Sequence, residues 1–553
     1  MCAKQHLEPG FFILIHSDPM QNNTLHKSQL FSKAFPNCST LVPEDIWQKF
    51  VAGADSLELF AQILTEKTAE LSLPEYLGEL ARLELYVYTL KAGNIRVPEY
   101  TEALSINPTL QLFENTWRNL SFQIDEETEG PGPEKGEERL ILWQHPASGA
   151  IKAKPVNEEH LLVMKMALEE LPVRAVARQG DIHAAAIEAA LIRALNEGIV
   201  TGPEPLIKRH YNPEHYKDID RSFFAARIFS LQWHITQACD LHCRHCYDRN
   251  QYKSLSLQQE IDILDDLAGF CSTHNVHGQI TFTGGNPLLH PNFEKLYQEA
   301  ADRGFTIAVL GNPTTEEQIE RLNAIQPPAF YQVSLEGLEE HNDYMRGKGH
   351  FKRILSFLDL LRELGVYSMV MLTLTRENME QVLPLAEILR TKTDLFTFNR
   401  LSLVGEGANL VMVDPEQYPG FLRAYEEAVK TNSCLGIKDN LLNIVYREKK
   451  RPPFGGCTGF GCGAAFNFIT ILADGSVHAC RKFPSPLGNI LDNSLSSIYE
   501  SEGAKRYRRG PAECQDCSIR PVCGGCLAVS YSQNTDIFTQ KDPYCFIDSK
   551  DLI

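Results

Sequence analysis

The chain has 553 residues, with 53 basic side chains against 71 acidic ones and a formal net charge of −18. That balance excludes a chain-wide nucleic-acid surface, which needs clustered positive charge. The length suggests three or four domains. Hydrophobic residues make up 43% and charged ones 22%, without a low-complexity tract, as in a soluble globular protein. The longest early apolar stretch, Phe11 to Ile15, is too short for a spanning helix or a signal-peptide core. A cytoplasmic, reducing location is therefore expected. In that compartment the 15 cysteines, most of them clustered, point to metal binding or redox chemistry rather than disulfides.

The first 40 or so residues lack a periodic pattern and are expected to be loosely ordered. From about Pro43 to Leu120 the text turns helical: Leu77, Leu80, Leu83, Val87 and Leu90 fall at steps of three and four. Residues 1–124 are thus expected to form an N-terminal helical domain. The acidic, Gly/Pro-rich stretch Asp125–Glu138 is expected to be a linker. Between 137 and 209, RLILWQ and AIKAKPV flank a Pro/Gly turn, which predicts a β-hairpin. Two helices should follow, one over Glu158–Leu171 and one that Asp181 can cap and Gly198 can end. This pattern resembles a small PqqD-like winged helix, which implies capture of a precursor-peptide leader as an added strand, with a structural spacer or a nucleic-acid-binding unit as the alternatives.

From 225 to 405 strands and helices alternate. FSLQWHIT, GQITFTGG, FTIAVLGN, YQVSLEG, SMVMLTLT and LFTFNRLS read as six strands of a parallel sheet, hence an incomplete α/β barrel. Chemistry in such barrels sits at the C-terminal strand ends. A helical bridge (406–440) and a cysteine-dense, loop-rich region (441–553) complete the chain. The first strand ends in Cys239, Cys243 and Cys246, spaced C-x3-C-x2-C. One tight loop can place three thiolates on three corners of a cubane, leaving the fourth iron open. A zinc site completed by His242 or His245 is the alternative for the same residues.

This spacing on a first barrel strand resembles the radical S-adenosylmethionine (SAM) superfamily. The resemblance implies that Cys239, Cys243 and Cys246 hold a [4Fe–4S] cluster and that SAM chelates its open iron. Reductive cleavage would then give a 5′-deoxyadenosyl radical that abstracts a substrate hydrogen. It also implies an electron donor such as ferredoxin or flavodoxin. Tyr247 falls where the loop backbone approaches adenine. Gly284-Gly285-Asn286-Pro287 stands where the family has GGEP, with Asn286 in place of the charged Glu. Ser334 and Arg346 are implied contacts to SAM's polar atoms, and Leu372 an adenine-packing residue.

Eight more cysteines lie between Cys457 and Cys545, the thiolate count of two fully ligated four-iron clusters and equally of two zinc sites. Their order resembles the SPASM extension of radical SAM peptide maturases. By position, Cys457, Cys462, Cys480 and Cys526 would hold a barrel-proximal auxiliary [4Fe–4S] cluster, and Cys514, Cys517, Cys523 and Cys545 a distal one. The two-residue gap between Cys523 and Cys526 departs from the family's three. Cys2, Cys38, Cys271 and Cys434 read as inert thiols. The expected fold is therefore α/β: a partial (β/α)6 radical SAM barrel, a C-terminal SPASM domain, an N-terminal helical domain and a winged-helix unit. Arg481, directly after Cys480, stands where sulfatase maturases carry an Asp base, which argues against formylglycine formation. The segment CRKFPSP looks closest to thio(seleno)oxazole-type, or selenobiotic, peptide maturases. The expected function is modification of a ribosomally made peptide bearing a leader segment, without nucleic acid or membrane. A non-peptide radical SAM oxidoreductase and an Fe–S redox regulator are the alternatives.

Overall fold

Phe31, Phe35 and Cys38 recur at helical spacing, and in the computed structural model they are buried on the helices Thr24–Ala34 and Pro36–Leu41 and at the turn between them. The described part of the segment expected to be loose, from Thr24 on, is therefore helical, while positions 1–23 lie outside the described residues. The structure describes residues 24–547 apart from positions 69, 94, 125–129, 181, 210, 212 and 251; Cys2 and the expected cap Asp181 lie outside the described residues. Described residues up to Pro172, with Ala190–Pro203, form one unit; Val173–Ala189 and the residues from Glu204 onward form another.

In the first unit Phe60, on the helix Leu57–Lys67, meets Phe31 and Trp47 edge-on at 4.7 and 4.8 Å. The predicted stripe lies on the helix Leu77–Ala92, where Leu77, Leu80, Leu83 and Leu90 are buried. The helical text does not continue to Leu120. A short strand β1 (Ser105–Ile106) and a longer β2 (Gln111–Arg118) follow, and β3 (Glu134–Gln144) starts inside the expected linker. Only positions 125–129 of that linker lie outside the described residues. β2, β3 and β4 (Ile151–Pro155) form an antiparallel sheet in that order, and β1 pairs with β5 (Val200–Thr201). The β2–β3 ladder crosses the boundary expected between 124 and 137, because non-local pairing holds strand residues that are individually polar. The helix begun at Glu158 stops at Leu168; the helix Val173–Gly180 is counted with the second unit, and Ala184–Glu197, divided between the two units, ends at Gly198 in the left-handed region (φ +70°).

In the second unit six strands carry the barrel: β6 (Ile228–Thr236), β7 (His277–Gly284), β8 (Thr306–Leu310), β9 (Tyr331–Ser334), β10 (Ser368–Leu374) and β11 (Leu395–Arg400). All five pairings between them are parallel and sequential. Trp233, Phe282, Tyr331 and Phe398 are buried with the intervening helices, of which Leu257–Thr273 opens with a Ser256/Gln259 capping box. The C-terminal region extends this sheet. β12 (Phe468–Ile471) pairs parallel to β6, and β13 (Ser476–His478) and β14 (Pro486–Asn489) add antiparallel beyond it. The sheet thus has nine strands, ordered β11-β10-β9-β8-β7-β6-β12-β13-β14. No helix among the described residues is long and apolar enough to cross a membrane.

Arg400, at the end of β11, joins barrel and C-terminal region. Its buried guanidinium meets Asp439 at 2.9 Å and Asp542 at 2.7 Å, and Asp542 also accepts the Cys526 N–H at 2.8 Å. Arg400→Met leaves two buried carboxylates uncompensated and should cost about 3–5 kcal/mol. Chemical denaturation of the two proteins under identical anaerobic conditions measures the difference.

Candidate active site

A loop that must approach a strand end closely needs residues without Cβ at the contact. The loop after β6 is held in this way. The N–H groups of Gly285 and Asn286 donate to the carbonyls of Thr236 and Ala238 at 2.8 and 2.7 Å. A Cβ on Gly284 would lie 2.2 Å from the Thr236 carbonyl oxygen, and one on Gly285 2.3 Å from that of Ala238. The two glycines therefore first serve the seating of the cysteine loop. On the far side, a Cβ on Gly405 (φ +58°) would meet the carbonyl oxygens of Cys246 and Tyr247 at 2.6 Å, and the Glu406 N–H donates to Cys246. Clamped so, Cys239, Cys243 and Cys246 all line a cavity of about 540 Å³ at the C-terminal ends of the strands.

The same cavity is lined by Tyr247, Gly284, Gly285, Ser334 and Arg346. Asn286 and Pro287 are buried beside it instead. The Asn286 amide donates to Asp240 at 3.1 Å while its oxygen caps the 3-10 turn Pro287–Leu289. Asp240 takes a second amide, from Asn312, at 2.5 Å. The negative charge missing at Asn286 is therefore present one residue after Cys239. Leu372 is not at the cavity: it lies in the core, and by strand alternation its neighbours Met371 and Thr373 line the wall. The phase of β10, not its composition, decides this.

Arg346 is held by a carboxylate that sequence reasoning missed. Glu336, two residues past Ser334, accepts from the Arg346 Nη2 at 2.6 Å and Nε at 3.0 Å, with His245 Nε2 at 3.2 Å. Its other oxygen accepts the Thr373 N–H at 2.8 Å. Burial pushes the Glu336 carboxyl up, but His245 and Arg346 outweigh that and hold it well below the usual range. The Arg346 Nη1 is left 3.6 Å from the Cys243 sulfur. Deeper in, the buried His234 contacts the Tyr247 hydroxyl at 3.2 Å; burial, with Arg481 nearby, depresses its imidazole to about 3.

Two smaller cavities hold the C-terminal cysteines. One of about 60 Å³ is lined by Cys457, Cys462, Cys480 and Cys526. The other, of about 20 Å³, is lined by Cys514, Cys517, Cys523 and Cys545. The short gap between the quartets has a local cause. Gly524 and Gly525 both take positive φ (68° and 62°), so the chain turns Cys523 to one cavity and Cys526 to the other. Burial pushes the Cys480 and Cys514 thiols up to about 12, so ionising them at neutral pH takes compensating positive charge. Three thiols at the large cavity and four at each small one suit iron–sulfur clusters. Among the described residues no set of three or more His, Cys, Asp or Glu closes on a single-ion site. Cys38, Cys271 and Cys434 are buried in the cores, away from these cavities. Asn399, Arg400 and Lys482 line both the large cavity and the 60 Å³ one, and Arg481 reaches Thr283 Oγ1 at 3.3 Å. Burial lowers the pKa of nearby Lys438, against the pull of Cys457.

Residues 233–389 match the radical SAM superfamily, and residues 462–526 match SPASM, an iron–sulfur cluster-binding domain. The chain is a radical SAM enzyme whose barrel domain binds a [4Fe–4S] cluster and SAM and whose SPASM domain binds auxiliary iron–sulfur clusters. It is 24% identical over 346 residues to an AdoMet-dependent heme synthase of Methanosarcina barkeri, covering 57% of this chain and 95% of that protein. It is 27% identical over 321 residues to the antilisterial bacteriocin subtilosin biosynthesis protein AlbA of Bacillus subtilis, covering 54% and 67%. The structure of Streptococcus suis SuiB bound to precursor peptide SuiA aligns with a TM-score of 0.49 at 16% identity, over 74% of this chain and 97% of that one.

Gly285→Ala should displace the cysteine loop and lower the iron bound by anaerobically reconstituted protein by about a third or more, read by iron and sulfide analysis against wild type. A second expectation concerns pH. His350, which accepts from Asn342 at 3.1 Å beneath the Glu336 turn, is depressed to about 3 by burial and by Arg346. The unfolded chain binds more protons below pH 6.5, so stability is full above that value and falls as the pH drops towards 3. Between pH 6.5 and 5 the loss is about 2 kcal/mol. Denaturation curves of wild type and His350→Asn should diverge in that window.

Proposed function

We propose that this enzyme modifies a ribosomally made precursor peptide by SAM-dependent hydrogen abstraction, forming a thioether or carbon–carbon crosslink or a related oxidative change. The reading is carried by one observation: the cavity beside the Cys239 loop shares a wall with the cavity of Cys457, Cys462, Cys480 and Cys526. Cys239, Cys243 and Cys246 would hold the SAM-binding cluster and the two quartets the auxiliary ones. When bound there, the cluster and SAM would supply the chemistry of hydrogen abstraction. The protein's own residues do the rest. Gly284 and Gly285 present backbone to the cofactor, Ser334 offers a hydroxyl at the strand end, and Glu336 fixes Arg346 against Cys243. Arg481 and Lys482 bring positive charge to the substrate side.

The peptide class is supported by the likeness to AlbA and by the sheet of β2, β3 and β4, whose outer strands are candidates for leader capture by strand addition. We read residues 137–209 as part of that recognition unit and CRKFPSP as a mark of the thio(seleno)oxazole-type maturases. The heme synthase of similar identity favours a second reading, a non-peptide substrate whose carboxylates meet Arg481 and Lys482. The test is direct. A short peptide encoded beside the gene should gain or lose mass only with SAM, reductant and wild-type enzyme, and should slow amide exchange in 111–118 or 151–155. Cys239→Ala should form no 5′-deoxyadenosine. A peptide left unchanged while a tetrapyrrole is consumed selects the second reading.

A further inference from the structure

Two buried guanidiniums outside the large cavity gather where the C-terminal cysteine quartets meet. Arg209 is 8% exposed and Arg520 4%. The Arg209 Nη2 donates to the Cys462 carbonyl, its Nη1 meets the Tyr211 hydroxyl at 3.2 Å, and its guanidinium carbon lies 4.3 Å from the Phe466 ring centroid. Its Nε is buried without a partner. Arg520 lines the cavity of Cys514, Cys517, Cys523 and Cys545, and its Nη2 donates to the Arg509 carbonyl at 2.7 Å. The Cys462 N–H donates to the Cys523 carbonyl at 2.8 Å, which joins one quartet to the other at this point.

Neither cation has a carboxylate. Among the described residues no ion pair includes Arg209 or Arg520. Tyr211 senses the resulting field: burial pushes its phenol up, but Arg209 and Arg520 outweigh that and hold it below the usual range. An unpaired guanidinium out of water is costly, so a counter-charge belongs at this junction. The anions in reach are the quartets themselves. Four thiolates around a four-iron cluster leave it net negative, and an added electron makes it more so. A fixed cation beside it favours the reduced form, and a buried position spares that attraction most of the screening by salt.

We propose that Arg209 and Arg520 set the reduction potential of the auxiliary clusters, raising it by holding positive charge at the Cys462–Cys523 junction. The proposal rests on the assignment of the two quartets as cluster ligands. The equilibrium concerned is the uptake of one electron by a cluster from a low-potential reductant such as dithionite; no bond forms or breaks. Both residues act through the charge of the cluster and touch no substrate.

The experiment is a redox titration of full-length reconstituted protein followed by electron paramagnetic resonance. A Cys239→Ala/Cys243→Ala/Cys246→Ala background leaves only the auxiliary clusters to report. In that background Arg209→Gln should shift the one-electron equilibrium of an auxiliary cluster at least tenfold towards the oxidised form, a potential lower by about 59 mV. Arg209→Lys, which keeps the charge, should recover at least half of that shift. A smaller shift in Arg209→Gln at equal iron content overturns the proposal, and so does recovery of less than half in Arg209→Lys. Should Arg209→Gln load less iron than its parent, Arg520→Gln and Arg520→Lys are titrated against the same two criteria. A parent protein that binds no iron at the quartets overturns the ligand assignment instead.

Discussion

A thiolate taken out of water survives only beside positive charge, and the second unit is organised around that cost. Cys480, Cys514 and Cys523 lie where burial alone keeps the thiol protonated. In the proposed ligand assignment the charge that ionises them would come mainly from iron, which would couple the folding of this region to cluster binding. Buried guanidiniums supply the remainder: Arg346 stands over Cys243, and Arg520 lies among Cys514, Cys462 and Cys523. These cations are themselves expensive to bury, which is why Glu336 is fixed by four contacts and why Arg400 needs two aspartates.

Much of this was legible in the sequence because its signals are local. Six apolar strand runs alternating with amphipathic segments specify a parallel sheet, and three cysteines within eight residues specify one loop at a strand end. The assignment of eight later cysteines to two groups rested on family resemblance rather than on spacing. What stayed hidden is non-local or a matter of phase. Nothing in the four residues of Phe468–Ile471 announces pairing with β6, and nothing in Glu134–Glu138 announces a ladder with β2. Leu372 and its neighbours are all apolar or small enough to face either way, so a one-residue phase error exchanged core for cavity.

The glycines show how one residue type can be noticed for one reason and needed for another. Gly284 and Gly285 stand out as a close-approach motif for a ligand, and the approach they permit is first that of the protein's own loop. Asn286 likewise departs from the family's charged residue, yet the charge reappears at Asp240, 46 positions earlier in the chain and 3.1 Å away. A motif reads one segment, whereas electrostatics sums over everything within a few ångströms.

The glycine pair at 524 and 525 ties the two cysteine cavities with a tether two residues long. The span between Cys523 and Cys526 is consequently limited by covalent geometry as well as by packing. A displacement of this turn therefore carries Cys523 and Cys526 together, with three peptide bonds limiting how far apart they can lie.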